Sequence, residues 1–214
     1  MNVDFDLVRR ALSSPATLPD AYPRLTGDEP AAVLVLLTAD PLAASLHVRA
    51  SSMREHAGEI ALPGGRRDPG DASLLATALR ETREELGVDE GEIEALGELF
   101  PVPVVTGKYL IHPFVGLTRA RARAASPEIE RLLSMPLAPY VLGERAVYYR
   151  MDRWRGSTFP TPFFKLPSGE VPYGATAAIL VDLLRRLAAC AGTMLSLIES
   201  SEKPWGDRYA KEGA

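Results

Sequence analysis

A single cysteine, Cys190, excludes any disulfide within the chain. Its setting in an apolar helical pattern predicts a buried thiol rather than a nucleophile. The three histidines, His47, His56 and His112, lie far apart and lack zinc-ligand spacing. No glycine-rich loop runs into Gly-Lys-Ser/Thr, and no nucleophile elbow is present, so Walker-type and serine-hydrolase chemistries are not indicated. Basic excess is missing too. Lys and Arg total 24 against 28 Asp and Glu, and a net charge of −4 gives no general attraction to nucleic acid or to an anionic membrane. No apolar run reaches bilayer-spanning length, and Met1 to Asp6 is acidic without a signal-peptide core. The expectation is a cytoplasmic protein with no membrane or nucleic-acid partner.

What is present is a hydrophobic fraction of 46% in 214 residues, ample for one domain with a real core. Residues 1–29 read as a short helix and an arm, the arm covering Pro15 to Pro30. Residues 30–200 read as the main domain, and 201–214 as a polar tail. Ala31 to Thr38 is a continuous apolar run bounded by prolines and predicts a buried strand. Leu46-His47-Val48-Arg49 predicts a strand with one polar face. Strand-like stretches follow at 93–105 and 109–117. Ser126-Pro127-Glu128 predicts a helix start, with serine as cap and proline at the first position. Residues 146–154 and 157–164 predict a hairpin. From Ala175 to about Ile198 the periodicity is helical, with Gly192 a candidate break. Strands flanked by helices at these two positions predict an α/β/α sandwich with a mixed sheet.

The densest chemistry lies between Leu62 and Val88. Leu62-Pro63-Gly64-Gly65 makes a turn that admits positive φ and close backbone approach. Arg66-Arg67-Asp68-Pro69-Gly70-Asp71 follows, and then a helical pattern closed by Gly87. At about 100° per residue, Leu75, Leu79, Thr82 and Leu86 share one stripe, while Glu81, Glu84 and Glu85 share a neighbouring arc. Arg80 and Arg83 fall on the opposite flank, leaving no cation within the acidic arc. Asp71 or Ser73 can cap the helix start and Gly87 can end it. Three acids this close repel one another unless a divalent cation sits between them, and magnesium-like cations bind through one or two carboxylates plus substrate phosphates. A solvated acidic face is the plainer alternative; the glycine turn and its arginines favour a phosphate site.

These residues resemble a Nudix box, whose pattern is G-x5-E-x7-REUxEExGU with U aliphatic. Arg80 to Val88 matches, with Thr82 at the first U. Upstream, Asp71 replaces glutamate, and the gap from Asp71 to Arg80 is one residue longer than in the pattern. A second stretch, Leu36-Leu37-Thr38 followed by Arg54-x3-Gly58-x3-Leu62-Pro63-Gly64-Gly65, is similar to the extra signature of the coenzyme A pyrophosphatase branch. His56-Ala57-Gly58 belongs to it, and Tyr173 to Thr176 resembles that branch's C-terminal segment.

The resemblance implies a Nudix-type sandwich and metal-dependent hydrolysis of the pyrophosphate bond of coenzyme A or its derivatives. The products would be adenosine 3′,5′-bisphosphate and 4′-phosphopantetheine or its acyl form. Glu81, Glu84 and Glu85 would hold Mg2+ or Mn2+, and Arg80 would orient them. Arg54, Gly58, Gly64, Gly65 and Arg66 would bind substrate. Glu98 and Glu128 are outside candidates for a general base. Another diphosphatase of the same family, acting on ADP-ribose or a dinucleotide, is the nearest rival, and a non-catalytic nucleotide sensor the next. Two further features are open. Arg49, Arg54, Arg66 and Arg67 crowd the region before the helix and some can clamp phosphate. Lys108-Tyr109 sits in a loop at a strand start, where binding residues often occur. The sequence does not specify an oligomeric state.

Overall fold

The computed structural model describes residues 2–13, 29–104, 108–154 and 157–206. In chain order its elements are α1 (Phe5–Leu12), β1 (Glu29–Thr38), β2 (Ala43–Arg49), β3 (Ile60–Ala61), β4 (Gly64–Arg66), α2 (Leu74–Leu86), β5 (Ile93–Glu98), β6 (Val102–Pro103), β7 (Tyr109–Thr118), β8 (Ile129–Pro136), α3 (Ala138–Val141), β9 (Val147–Trp154), β10 (Ser157–Phe163), α4 (Gly174–Cys190) and β11 (Leu197–Glu199). Apart from Glu29 and Pro30, which begin β1, the arm expected from 15 lies outside the described residues.

The main sheet runs β3-β2-β1-β7-β5, with β4 added to β1, β6 to β7 and β8 to β2. Its axis is β1, whose full length pairs in parallel with β7, from Glu29 beside Tyr109 to Thr38 beside Thr118. The other pairings are antiparallel, so the sheet is mixed. Alternation along β1 sends Ala32, Leu34 and Leu36 into the layer beneath α2. Val35 and Leu37 go to the opposite face, beneath α1 and α4. The architecture is therefore an α/β/α sandwich. The hairpin of β9 and β10 forms as expected, and β11 joins β9 in parallel to complete a second, three-stranded sheet.

Four expectations need correction. The helix expected from Ala175 to about Ile198 ends at Cys190, before Gly192 at φ 68°, and Leu197–Glu199 form β11. The Ser126-Pro127-Glu128 signal opens no helix. Residues 129–136 are β8, paired with β2 from Ala43–Pro136 to Arg49–Ile129, and this long pairing overrides a local cap. The same cover removes the polar face expected of 46–49, because β2 is buried almost throughout and His47 is 1% exposed. Cys190 is exposed, since it closes the last turn of α4 on the side away from the core.

Candidate active site

Helix α2 begins where the Ser73 side chain accepts from the Ala76 N–H at 3.1 Å, and it ends at Gly87 with φ 63°. Both ends follow local chemistry, a hydroxyl cap and a left-handed residue that carries no Cβ penalty. The apolar stripe is seated as the pattern requires, with Leu79, Thr82 and Leu86 buried. The Thr82 hydroxyl donates back to the Ala78 carbonyl at 2.7 Å, which lets a polar residue occupy an apolar seam.

The adjoining arc meets strand β4. Glu85 is 6% exposed and accepts from the Gly64 N–H at 3.1 Å. A side chain at Gly64, where φ is 156°, would strike the backbone of Ala32 and Val33. A Cβ at Gly65 would lie 2.5 Å from Glu81 Oε1, so glycine there leaves the space that Glu81 occupies. The two glycines thus dock the strand onto the helix. The Gly64 amide is engaged by Glu85 rather than turned toward a ligand.

Arg80 ties the arc together. Its guanidinium donates to Asp71 at 3.0 and 3.2 Å, to Glu84 at 3.2 Å and to the Arg66 carbonyl at 3.2 Å. It also pairs with Glu81 at 2.9 Å. The expectation that no cation enters the acidic arc is therefore wrong. At about 100° per residue Arg80 stands only about 40° from Glu84, its i,i+4 neighbour, so the helix itself sets this cation beside the acids. Glu84 is drawn to Arg80 at the exposed rim. Asp71, one residue off the family spacing, still reaches Arg80. It accepts as well from the Thr77 hydroxyl and the Asp68 N–H, and the Arg80 contact, followed by that of Asp68, holds its carboxyl well below the usual range.

The two remaining carboxylates are pushed the other way. Burial raises Glu81, with Arg80 opposing and Glu84 adding to the rise. Burial lifts Glu85 to about 7, against the stabilising Gly64 N–H, and the Glu81 charge lifts it further. Arg49 lowers it and Glu128 raises it, so both lie within electrostatic reach. The Arg49 Nε is buried with no hydrogen-bond partner among the described residues. Glu128 arrives because its carbonyl accepts from the Ala50 N–H at 2.7 Å, at the end of the β2–β8 pairing. The sequence held Arg49 only as one of four crowded arginines. The strand parity that puts His47 and Arg49 on the face shared with α2 was the missing signal. His47 is itself lowered to about 4 by burial and then by Arg49.

Among the described residues, the other candidates make no side-chain hydrogen bond or ion pair with these carboxylates, although the Gly58 N–H donates to the Arg49 carbonyl at 3.0 Å. Arg54 and Gly58 are exposed on the loop between β2 and β3. His56 pairs there with Glu59 at 3.0 Å. Glu98 is engaged by His112 at 2.7 Å. The Arg66 side chain lies over the Tyr109 ring.

Oxygen-only donors suit a hard divalent cation. Among the described residues no three acidic, histidine or cysteine side chains form a ready-made cage. Even so, Glu81 and Glu85 fit such an ion, because they stand at i,i+4 with proton affinities raised by burial, which a cation between them would reverse.

Comparison with known proteins bears on the family and the fold. The family model described as NUDIX domain matches residues 28–154. An uncharacterized Nudix hydrolase NudL of Yersinia enterocolitica is 35% identical over 161 residues, covering 74% of this chain and 79% of its own. The NudL of Pectobacterium atrosepticum is 33% identical over 174 residues, covering 80% and 89%. Among solved structures, a NUDIX hydrolase from Alicyclobacillus acidocaldarius superposes with a TM-score of 0.51 at 19% identity over 80% of this chain and 99% of its own, a likeness of fold.

Proposed function

Because the chain belongs to the Nudix hydrolase family, we propose that its substrate is coenzyme A or a derivative, cut at the pyrophosphate bond. Hydrolysis of a nucleoside diphosphate derivative is the activity that membership carries. The coenzyme A assignment is narrower. It is supported by the Arg54-x3-Gly58-x3-Leu62-Pro63-Gly64-Gly65 stretch, whose final two glycines begin the strand that Glu85 grips. The comparisons reach only the broader class and back the alternative, another nucleoside diphosphate derivative such as ADP-ribose, better than coenzyme A.

The observation carrying the catalytic reading is Glu85, a buried carboxylate raised to about 7 beside Glu81 and held on the Gly64 amide. Glu81 and Glu85 would hold Mg2+ or Mn2+, with Glu84 reaching in from the rim once freed from Arg80. When bound, such an ion supplies charge neutralisation on phosphate oxygens and an acidified water. Arg80 fixes the carboxylate directions from a frame anchored by Asp71. Arg49 offers its unpartnered guanidinium N–H to a phosphate oxygen, a charge-assisted contact that strengthens as charge develops. Glu128, outside the helix but felt electrostatically at Glu85, would accept a proton from water.

The test is incubation with magnesium and a panel of coenzyme A, acetyl-coenzyme A, ADP-ribose and a dinucleoside polyphosphate, with products identified by mass. The proposal expects adenosine 3′,5′-bisphosphate and a phosphopantetheine product. Cleavage of ADP-ribose alone would transfer the assignment to that rival. No cleavage of any member would favour a nucleotide sensor.

A further inference from the structure

Two cations converge on one aromatic ring at the rim of this site. The Arg66 guanidinium carbon lies 4.8 Å from the centroid of the Tyr109 ring, and Lys108 Nζ lies 5.0 Å from it. The Tyr109 hydroxyl, with Glu29 adding, holds Lys108 above its ordinary value as an ammonium, against the smaller opposing charge of Arg66. The acid felt there is Glu29, whose N–H donates to the Lys108 carbonyl at 3.1 Å. Neither cation makes an ion pair with an acidic side chain among the described residues. Both are exposed, so neither is needed to fill the core.

The backbone explains the meeting. Arg66 pairs with Ala31 across β4 and β1, and Tyr109 pairs with Glu29 across β1 and β7. The three strands bring the two side chains to one corner of the sheet. That corner adjoins the catalytic residues. Gly65 abuts Glu81, and the Arg66 carbonyl accepts from Arg80. By strand alternation Arg66 points to the face opposite Gly65's contact with Glu81. Its guanidinium therefore lies on the side of the strand away from Glu81, clear of the carboxylates.

A pair of like charges at an exposed rim repels only weakly in water, and the two together attract an anion that can meet both. A phosphomonoester suits the need. Arg presents a planar fork to its oxygens, Lys adds a compact charge, and the ring holds both stems in place through cation–π contact. We propose that Arg66, Tyr109 and Lys108 form a clamp for a second phosphate on the substrate, one esterified to the ribose and separate from the diphosphate that is cut. The clamp selects nucleotides with a phosphorylated ribose. It rests on the hydrolase reading for its location, and the test separates the two.

The experiment compares matched pairs, coenzyme A with 3′-dephospho-coenzyme A and ADP-ribose 2′-phosphate with ADP-ribose. For each pair it measures Kd by calorimetry without divalent metal and kcat/KM with magnesium. The wild type should favour the phosphorylated member of at least one pair by about tenfold or more, through Kd and KM rather than kcat. Lys108→Met and Arg66→Gln should each bring that ratio toward one, and Lys108→Arg should restore it. Equal Kd for both members of both pairs would overturn the clamp even with hydrolysis intact, as would an undiminished ratio in the folded Lys108→Met, Arg66→Gln double variant. A Kd preference that is lost in the variants, with no turnover of any substrate, would uphold the clamp and defeat the hydrolase reading.

Discussion

Helix α4 buries eight residues, all of them aliphatic or alanine, against the sheet. Helix α2 covers the opposite face and buries six, of which three are polar: Thr77, Thr82 and Glu85. Each polar group on α2 has a specific answer. Thr77 donates to Asp71, Thr82 donates back along the helix, and Glu85 accepts from Gly64. The two helices show how one sandwich divides its labour. The face under α4 supplies stability from area alone, while the face under α2 holds charge in a poorly solvated place, where a carboxylate binds a proton or a cation more tightly than in water.

That contrast is broken most sharply by Glu85→Gln. It should lower kcat/KM by roughly 10²–10³-fold, the scale of losing one preorganised charge-stabilising group. Melting temperature should hold or rise, because an unfavourable buried charge is removed. Steady-state kinetics and thermal melting on one preparation check both. Leu183→Ala on α4 should do the reverse. Leu183 is fully buried, and its truncation should cost about 2–5 kcal/mol in denaturant unfolding while turnover per folded molecule stays within error.

Gly65→Ala is subtler. Its methyl would meet the movable end of Glu81, so stability should change by about 1 kcal/mol or less. Displacing that carboxylate should still lower kcat/KM by roughly tenfold or more. The smallest effect is on pH dependence. Glu85 is raised from 4.5 to about 7, so between those values this group binds more protons in the folded metal-free protein than in the unfolded chain. Glu85 should therefore contribute a fall in stability as pH rises through that window, opposed by His47, whose lowered value gives a rise. The Glu85 share is read as the difference in slope between the wild type and Glu85→Gln. Urea titrations at pH 5 and pH 7.5 measure it.

Much of this was legible from local rules. The Ser73 cap, the Gly87 stop and the stripe of Leu79, Thr82 and Leu86 are set within one helix, and the sequence pattern reads them directly. The continuous apolar run of β1 was equally readable, because a strand buried on both faces leaves no alternation to misjudge. What escaped depends on distant partners. The pairing of β8 with β2 turned a helix-start signal into the approach to a strand and carried Glu128 toward Glu85. Parity on β2 selected Arg49 from four arginines. The meeting of Arg80 with Glu84 at i,i+4 was readable in the projection, whereas its contacts with Asp71 and the Arg66 carbonyl depend on how the preceding loop folds back. The clamp corner needed three strands in register before Arg66 and Tyr109 could meet.

The account turns on whether Glu81 and Glu85, raised by burial, together receive a divalent cation. Calorimetric titration of Mn2+ near pH 6.5, repeated in two buffers of different ionisation enthalpy, tests this directly. Binding should release protons, because a cation displaces those that Glu85 holds near its raised value, and the Glu81→Gln, Glu85→Gln double variant should lose both binding and release. Manganese binding without proton release, or with equal affinity in the double variant, would contradict it.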